Sequence, residues 1–184
     1  MQVIGLAFLL TASIVYCKLG NPYFNDRRIE MYKMILVPVD GSELAELVLP
    51  HVEMLAKVCA EPAEVVLLMV CEPARMLIGG YGEAVAQGVL MAEQAAEACK
   101  VEAEQYLAAT EKRFKEKGLK VRSELLEGDP ANEILDYAAN NPVDLIAMGS
   151  HGRSGISRWA YGSVASKVLR GISTPILVVT PEKK

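Results

Sequence analysis

Basic charge, histidine and paired cysteines are all scarce in these 184 residues, and each shortage removes a class of function. Nineteen Lys and Arg against twenty-three Asp and Glu leave a net charge of -4. No basic field exists to hold a polyanionic backbone by counterion release, so nucleic acid is not an expected partner. The only histidines are His51 and His151, and Cys17, Cys59, Cys71 and Cys99 form no C-x-x-C pair, which leaves no His/Cys metal centre and suits a reducing cytoplasm. Glycine (14) and proline (9) are too few for a collagen-like or low-complexity chain. What is present is a 52% hydrophobic, 23% charged composition, that of one globular domain long enough to bury a core.

The first seventeen residues carry no charge and are almost wholly apolar. The run is short for a membrane span, has no Lys or Arg before it, and lacks a small-x-small cleavage site at its end. Lys18, Arg27 and Arg28 follow it. Residues 1–30 therefore read as an N-terminal apolar extension with three open origins: a start assigned too far upstream (Met31 or Met34 being the alternatives), a signal-like segment, or a weak anchor. A membrane role is expected only if residues 1–17 are such an anchor. Without this extension sixteen basic and twenty-one acidic residues remain in 31–184, a net of -5.

From residue 34 onward strands alternate with helices, the pattern of a parallel sheet covered on both faces. Strands are expected at 34–40, 64–70, 120–126, 143–148 and 175–180. The third alternates polar and apolar residues, as an edge strand does, whereas the others are continuous apolar runs. Helices are expected at 43–58, interrupted by Pro50; at 90–117, with Ala95, Cys99, Ala103, Tyr106, Leu107, Thr110 and Phe114 on the buried face; at 130–140, capped by Asp129; and at 163–170. Residues 71–89, with four glycines and Pro73, read as a long loop, a lid or partner-contact segment. The fold class is α/β, a doubly wound open five-stranded parallel sheet in a single domain, with a binding crevice beyond the carboxyl ends of the strands.

The chemistry-bearing pattern is G-x2-G-x9-G-S, from Gly149 and Gly152 to Gly162-Ser163. It starts where a strand ends and finishes where a helix starts. Glycine lets backbone N–H groups approach a phosphate chain closely, and a helix start adds unpaired N–H groups and a positive dipole end. Three glycines alone read equally as a surface loop with a capping serine. Pro38-Val39-Asp40, at the end of the first strand, belongs to the same edge of the crevice in a doubly wound sheet. Asp40 also suits a plain turn-capping role, Val70 a core role, and His151 an exposed loop position. Arg153 and Arg158 are placed to balance phosphate charge or to be solvated; Trp159 and Tyr161 read as packing residues.

The segment from Met31 through Ile35-Leu-Val-Pro-Val-Asp-Gly-Ser42, the Gly128-Asp129-Pro130 helix start, Met148-Gly-Ser-His-Gly152, Gly162-Ser163-Val164 and Pro175-Ile-Leu-Val-Val179 together resemble the universal stress protein family, over residue 31 to the C-terminus. The complete glycine spacing resembles that of the ATP-binding subgroup. The resemblance implies a Rossmann-like, adenine nucleotide alpha hydrolase-like fold and a nucleotide-dependent regulator in stress response. It implies that Pro38, Val39 and Asp40 border the adenosine and that Val70 packs on the adenine. Met148, Gly149, Ser150, His151, Gly152, Arg153, Ser154 and Gly155 would wrap ribose and phosphates, and Gly162, Ser163 and Val164 would hold the phosphate end. ATP with Mg²⁺ bridging its phosphates is the implied cofactor, and a homodimer through the strand at 175–180 the implied assembly. No G-x4-G-K-[ST] loop or kinase set is present, and the first turn reads VDGSE rather than an SGG-x-DS pyrophosphatase loop. No or slow ATPase activity is expected, with a slow ATP hydrolase or adenylate-transferring enzyme using the same pocket as the alternative.

Overall fold

The computed structural model describes residues 32–58, 63–73, 83–152 and 161–181. Ten elements follow in order: β1 (Met34–Pro38), α1 (Glu43–Glu46), α2 (Leu49–Val58), β2 (Glu64–Cys71), α3 (Glu83–Glu116), β3 (Lys120–Glu127), α4 (Pro130–Asn140), β4 (Leu145–Gly149), α5 (Ser163–Gly171) and β5 (Ile176–Val179). The five strands form one parallel sheet in the order β3-β2-β1-β4-β5.

Strand alternation divides the core in two. Ile35, Val37, Val65 and Leu67 face a layer with Val48, Val52, Leu107 and Phe114, from α2, α3 and the residue before α2. Leu36, Val66, Leu68 and Ile146 face Ile134, Ala138, Ala165 and Val168 from α4 and α5. Because β1, β2 and β4 are buried on both sides, their sequences are apolar throughout, as a doubly covered parallel strand requires. β3 is the outer strand on one side, and its alternating sequence leaves most of it half-buried. The chain runs outward from β1 in one direction to β2 and β3, then returns to place β4 and β5 on the other side. The carboxyl ends of β1 and β4 consequently flank a topological switch point, where a crevice opens in folds of this kind.

Three local expectations fail. The loop assigned to 71–89 ends early, because α3 already begins at Glu83. Gly88 lies inside the helix, where an added Cβ would meet nothing within 4 Å. Its cost of about 1 kcal/mol is small against the helix-favouring Ala, Gln and Glu around it. Ala95, placed by periodicity on the buried face, is exposed because α3 has run past the sheet at that height. The helix expected at 43–58 is interrupted before Pro50 rather than at it: the chain breaks into α1 and α2 at Leu47, which is 38% exposed, and Pro50 occupies the first turn of α2, where its missing N–H is no loss. Residues 1–31, 59–62, 74–82, 153–160 and 182–184 lie outside the described residues, as do the readings of the N-terminal extension, Cys17, Cys59, Arg158 and Trp159. Among the described residues no helix is long and apolar enough to cross a membrane.

Candidate functional site

The end of β1 is shaped by a turn. Gly41 adopts φ 79°, and the Asp40 carboxylate accepts hydrogen bonds from Ser42 N (3.0 Å) and Ser42 Oγ (2.7 Å). Ser42 Oγ in turn accepts from Ala45 N and caps α1. Asp40 thus does hold the turn, while its half-buried carboxylate also reaches across to the loop after β4.

That loop is packed tightly at two glycines. A Cβ on Gly149 would sit 2.8 Å from the Leu44 carbonyl oxygen, so glycine there lets α1 lie against β4. A Cβ on Gly152 would overlap Asp40 Oδ2. Ser150 N donates to Val179 O (2.8 Å) and Gly162 N to Ser150 O (2.8 Å), which ties β5, the loop and the start of α5 together. α5 begins at an N-cap glycine, Gly162, with no side-chain cap bond. By helix geometry the N–H groups of its first turn have no intrahelical acceptor, and they bring the positive end of the helix dipole to this point.

His151 departs from its expected exposure: it is 7% exposed, its Nδ1 lies 2.9 Å from Ser150 Oγ, and its buried Nε2 has no hydrogen-bond partner among the described residues. A buried polar atom left unpaired costs about 1–3 kcal/mol, so this nitrogen favours a hydrogen-bonding group beside it.

These features surround one cavity of about 480 Å³, within the size range of small-molecule and cofactor sites. Its wall includes Pro38, Val39, Asp40, Val70, Met148, Gly149, Ser150, His151, Gly152, Gly162, Ser163 and Val164. All the sequence-derived site residues that the structure describes are therefore brought together; Arg153, Ser154 and Gly155 fall outside the described residues. Sequence reasoning missed Glu72, Cys99, Pro130 and Ile134, which also line the cavity. Glu72 follows β2 just as Asp40 follows β1, a signal that was available; Cys99 and Ile134 enter from helices whose rotation only packing sets. Deeper in the α1–α3 layer, burial and then the charge of Glu46 push the Tyr106 phenol up to about 12, so it stays protonated at neutral pH. Among the described residues no three His, Cys, Asp or Glu side chains converge as a metal would need.

A family model of the universal stress protein family matches residues 31–180. The chain belongs to that family. Universal stress protein MJ0531 of Methanocaldococcus jannaschii is 35% identical over 154 residues, 84% of this chain and 85% of that protein. The solved structure of MJ0577 from the same organism, described as a hypothetical protein in a structure-based assignment of biochemical function, superposes with a TM-score of 0.70 at 32% identity, covering 84% of this chain and 99% of that one. A universal stress protein of Archaeoglobus fulgidus, solved in complex with dAMP, shares the fold at 22% identity and TM-score 0.52, over 81% of this chain and 98% of that one. The five-stranded parallel sheet covered by helices, in a single domain, is the architecture these neighbours share.

Proposed function

We propose that this universal stress protein is a nucleotide-dependent regulator in the stress response that binds ATP in the cavity between β1 and β4. The observation that carries the reading is the pairing, in one cavity, of a carboxylate at the end of β1 with an uncapped helix start at α5. A carboxylate accepts hydrogen bonds from ribose hydroxyls, and the first-turn N–H groups of a helix donate to phosphate oxygens. Pro38, Val39 and Val70 offer an apolar wall for a base. Gly149 to Gly152 and Gly162 to Val164 offer backbone to the ribose and phosphates, with Arg153, Ser154 and Gly155 continuing the loop in sequence. The dAMP carried by the Archaeoglobus fulgidus relative is an adenine nucleotide, in keeping with this assignment.

Mg²⁺ would be brought by the nucleotide's own phosphates, since among the described residues no carboxylate cluster converges to hold it. The domain is acidic, so the attraction for an anion is local: backbone N–H groups, a helix end and the bridging cation. β5 is an outer strand, which supports assembly as a homodimer through residues 175–180, and a cysteine pattern with no C-x-x-C pair suits the cytoplasm.

Calorimetry of the purified chain with Mg-ATP tests the reading. Saturable one-site binding is expected, together with an adenine nucleotide in the mass spectrum of the heat-denatured protein. No heat with ATP, ADP or AMP overturns it. ATP recovered intact after long incubation separates a binding regulator from a slow hydrolase.

A further inference from the structure

α3 is 34 residues long, about 51 Å at 1.5 Å per residue, whereas an eight-residue strand spans about 26 Å. Only its second half is held. Between residues 87 and 102 every side chain is exposed or half-buried, and Ala103 is the first buried one after residue 86. The helix therefore projects past the sheet, beside the mouth of the cavity that Cys99 lines. Of the six large apolar side chains exposed in the described chain, four lie on this arm: Val89, Leu90 (53%), Met91 (66%) and Val101 (44%).

The face of α3 turned away from the core has an unusual composition. At 100° per residue, Met91, Gln94, Ala98, Val101, Gln105 and Ala108 share a stripe diametrically opposite Ala103, Thr110 and Phe114. All six are exposed and none is charged, the first charge on the same stripe beyond them being Lys112, in a helix that otherwise carries eleven charges. A face meant only for water would carry charges there. Steps of three and four residues place these positions in one continuous seam, the pattern by which one helix receives another.

The margins of the seam say what fits it. Glu93, Glu97 and Glu104 run along one side with Lys100 among them, and Glu102 lies on the other, all exposed, so the margins of this stretch carry four acidic side chains against one basic. None of the four is in an ion pair among the described residues, whereas Glu46, Glu53, Glu64, Glu111 and Glu124 all are. We infer that the outer face of α3 is a docking surface for a basic amphipathic helix of another protein, whose apolar stripe covers Leu90, Met91 and Val101 and whose Lys or Arg side chains meet the glutamate rows. A second copy of α3 would oppose glutamate with glutamate, and an anionic membrane would meet the same repulsion.

The test uses the full chain and a labelled eighteen-residue peptide with Leu at helical spacing and Lys on both flanks, against a scrambled peptide of the same composition. Fluorescence anisotropy should show binding of the patterned peptide at least tenfold tighter than of the scrambled one, weakening between 50 and 300 mM salt, roughly as exposed charge pairs do. Leu90→Glu with Val101→Glu should weaken it at least tenfold, and Glu93→Lys with Glu97→Lys should weaken it severalfold. Both variants should keep the thermal melt of the parent, because these side chains support nothing in the fold. Equal binding of the two peptides, or unchanged binding by the Leu90/Val101 variant, overturns the inference. So does a peptide-free dimer that this variant dissolves, or flotation of the parent with phosphatidylserine vesicles.

Discussion

The Asp40 carboxylate lies directly over the Cα of Gly152, so that a single methyl group on Gly152 would occupy the place of Asp40 Oδ2. Two segments more than a hundred residues apart in sequence are thereby fitted to each other at one wall of the cavity. Gly152→Ala is expected to displace the carboxylate and weaken Mg-ATP binding at least tenfold, about 1.4 kcal/mol. The fold should survive, since Asp40 is only half-buried and lies outside the two core layers. Calorimetry beside a thermal melt separates the two effects; parental affinity would show that the pair is no part of the site.

Acid stability should depend on the joint between α4 and α5. Asp129 accepts from Lys167 Nζ (2.8 Å) and from Asn132 N (3.0 Å), and these bonds hold its carboxyl below the usual carboxylate range, Lys167 contributing most. Glu111 is lowered in the same way by Lys115 and then Ser123. A carboxyl lowered on folding adds stability above its unfolded value, about 3.9 to 4.3, and loses it as pH falls through the folded value. Melts recorded from pH 7 down to 3 should therefore show stability falling on acidification. Asp129→Asn, which keeps a cap but not the ion pair, should start lower at pH 7 and fall less steeply. A slope equal to the parent's would remove Asp129 from the account.

The outer edge at β5 separates assembly from folding. Val178 and Val179 are 1% and 5% exposed within the chain, while Leu177 is only half-buried. Val178→Asp should unfold the protein, because an unpaired charge in the core costs more than about 3 kcal/mol. Leu177→Lys can lay its stem on the surface and lift its charge into water. It should keep the parental circular dichroism yet shift light scattering from a dimer mass to a monomer mass. A parent already monomeric at tens of micromolar would refute the strand-mediated dimer.

Two glycine-to-alanine changes should destabilise for opposite reasons. At Gly171 the new Cβ would lie 2.8 Å from Leu135 Cδ1, the tip of a half-buried side chain that must swing aside. The loss should be small, because the helix gain of about 1 kcal/mol offsets the crowding, and Leu135→Val should remove what loss there is. At Gly118 nothing lies within 4 Å, but φ is +78°. Strain alone should cost about 1–2 kcal/mol, with no rescue by any neighbour. Urea melts of the four proteins check both.

Much of this architecture was legible because its causes are local. Apolar runs announced β1, β2 and β4, an alternating run announced β3 as an edge, and Asp129 before Pro130 announced α4. The glycine spacing led to residues that line one cavity because Gly149 and Gly152 answer to backbone and side-chain crowding that no other residue relieves. What stayed hidden depends on contacts. Nothing in the sequence around His151 says that its ring is buried against Ser150. The start of α3 was misread because glycines at 79, 80, 82 and 88 look alike in sequence, although Gly88 is carried inside a helix. Glu72 and Cys99 reach the cavity only through the relative placement of β2 and α3.

The bonds from Val179 O to Ser150 N and from Ser150 O to Gly162 N form an unbroken relay of peptide groups from the rim of the sheet to the threshold of α5. No side chain interrupts it, so no rotamer change can absorb a displacement along it. Whatever grips the β5 rim therefore pulls on the floor of the cavity through backbone alone, and a ligand that draws the α5 threshold inward tightens that rim in return.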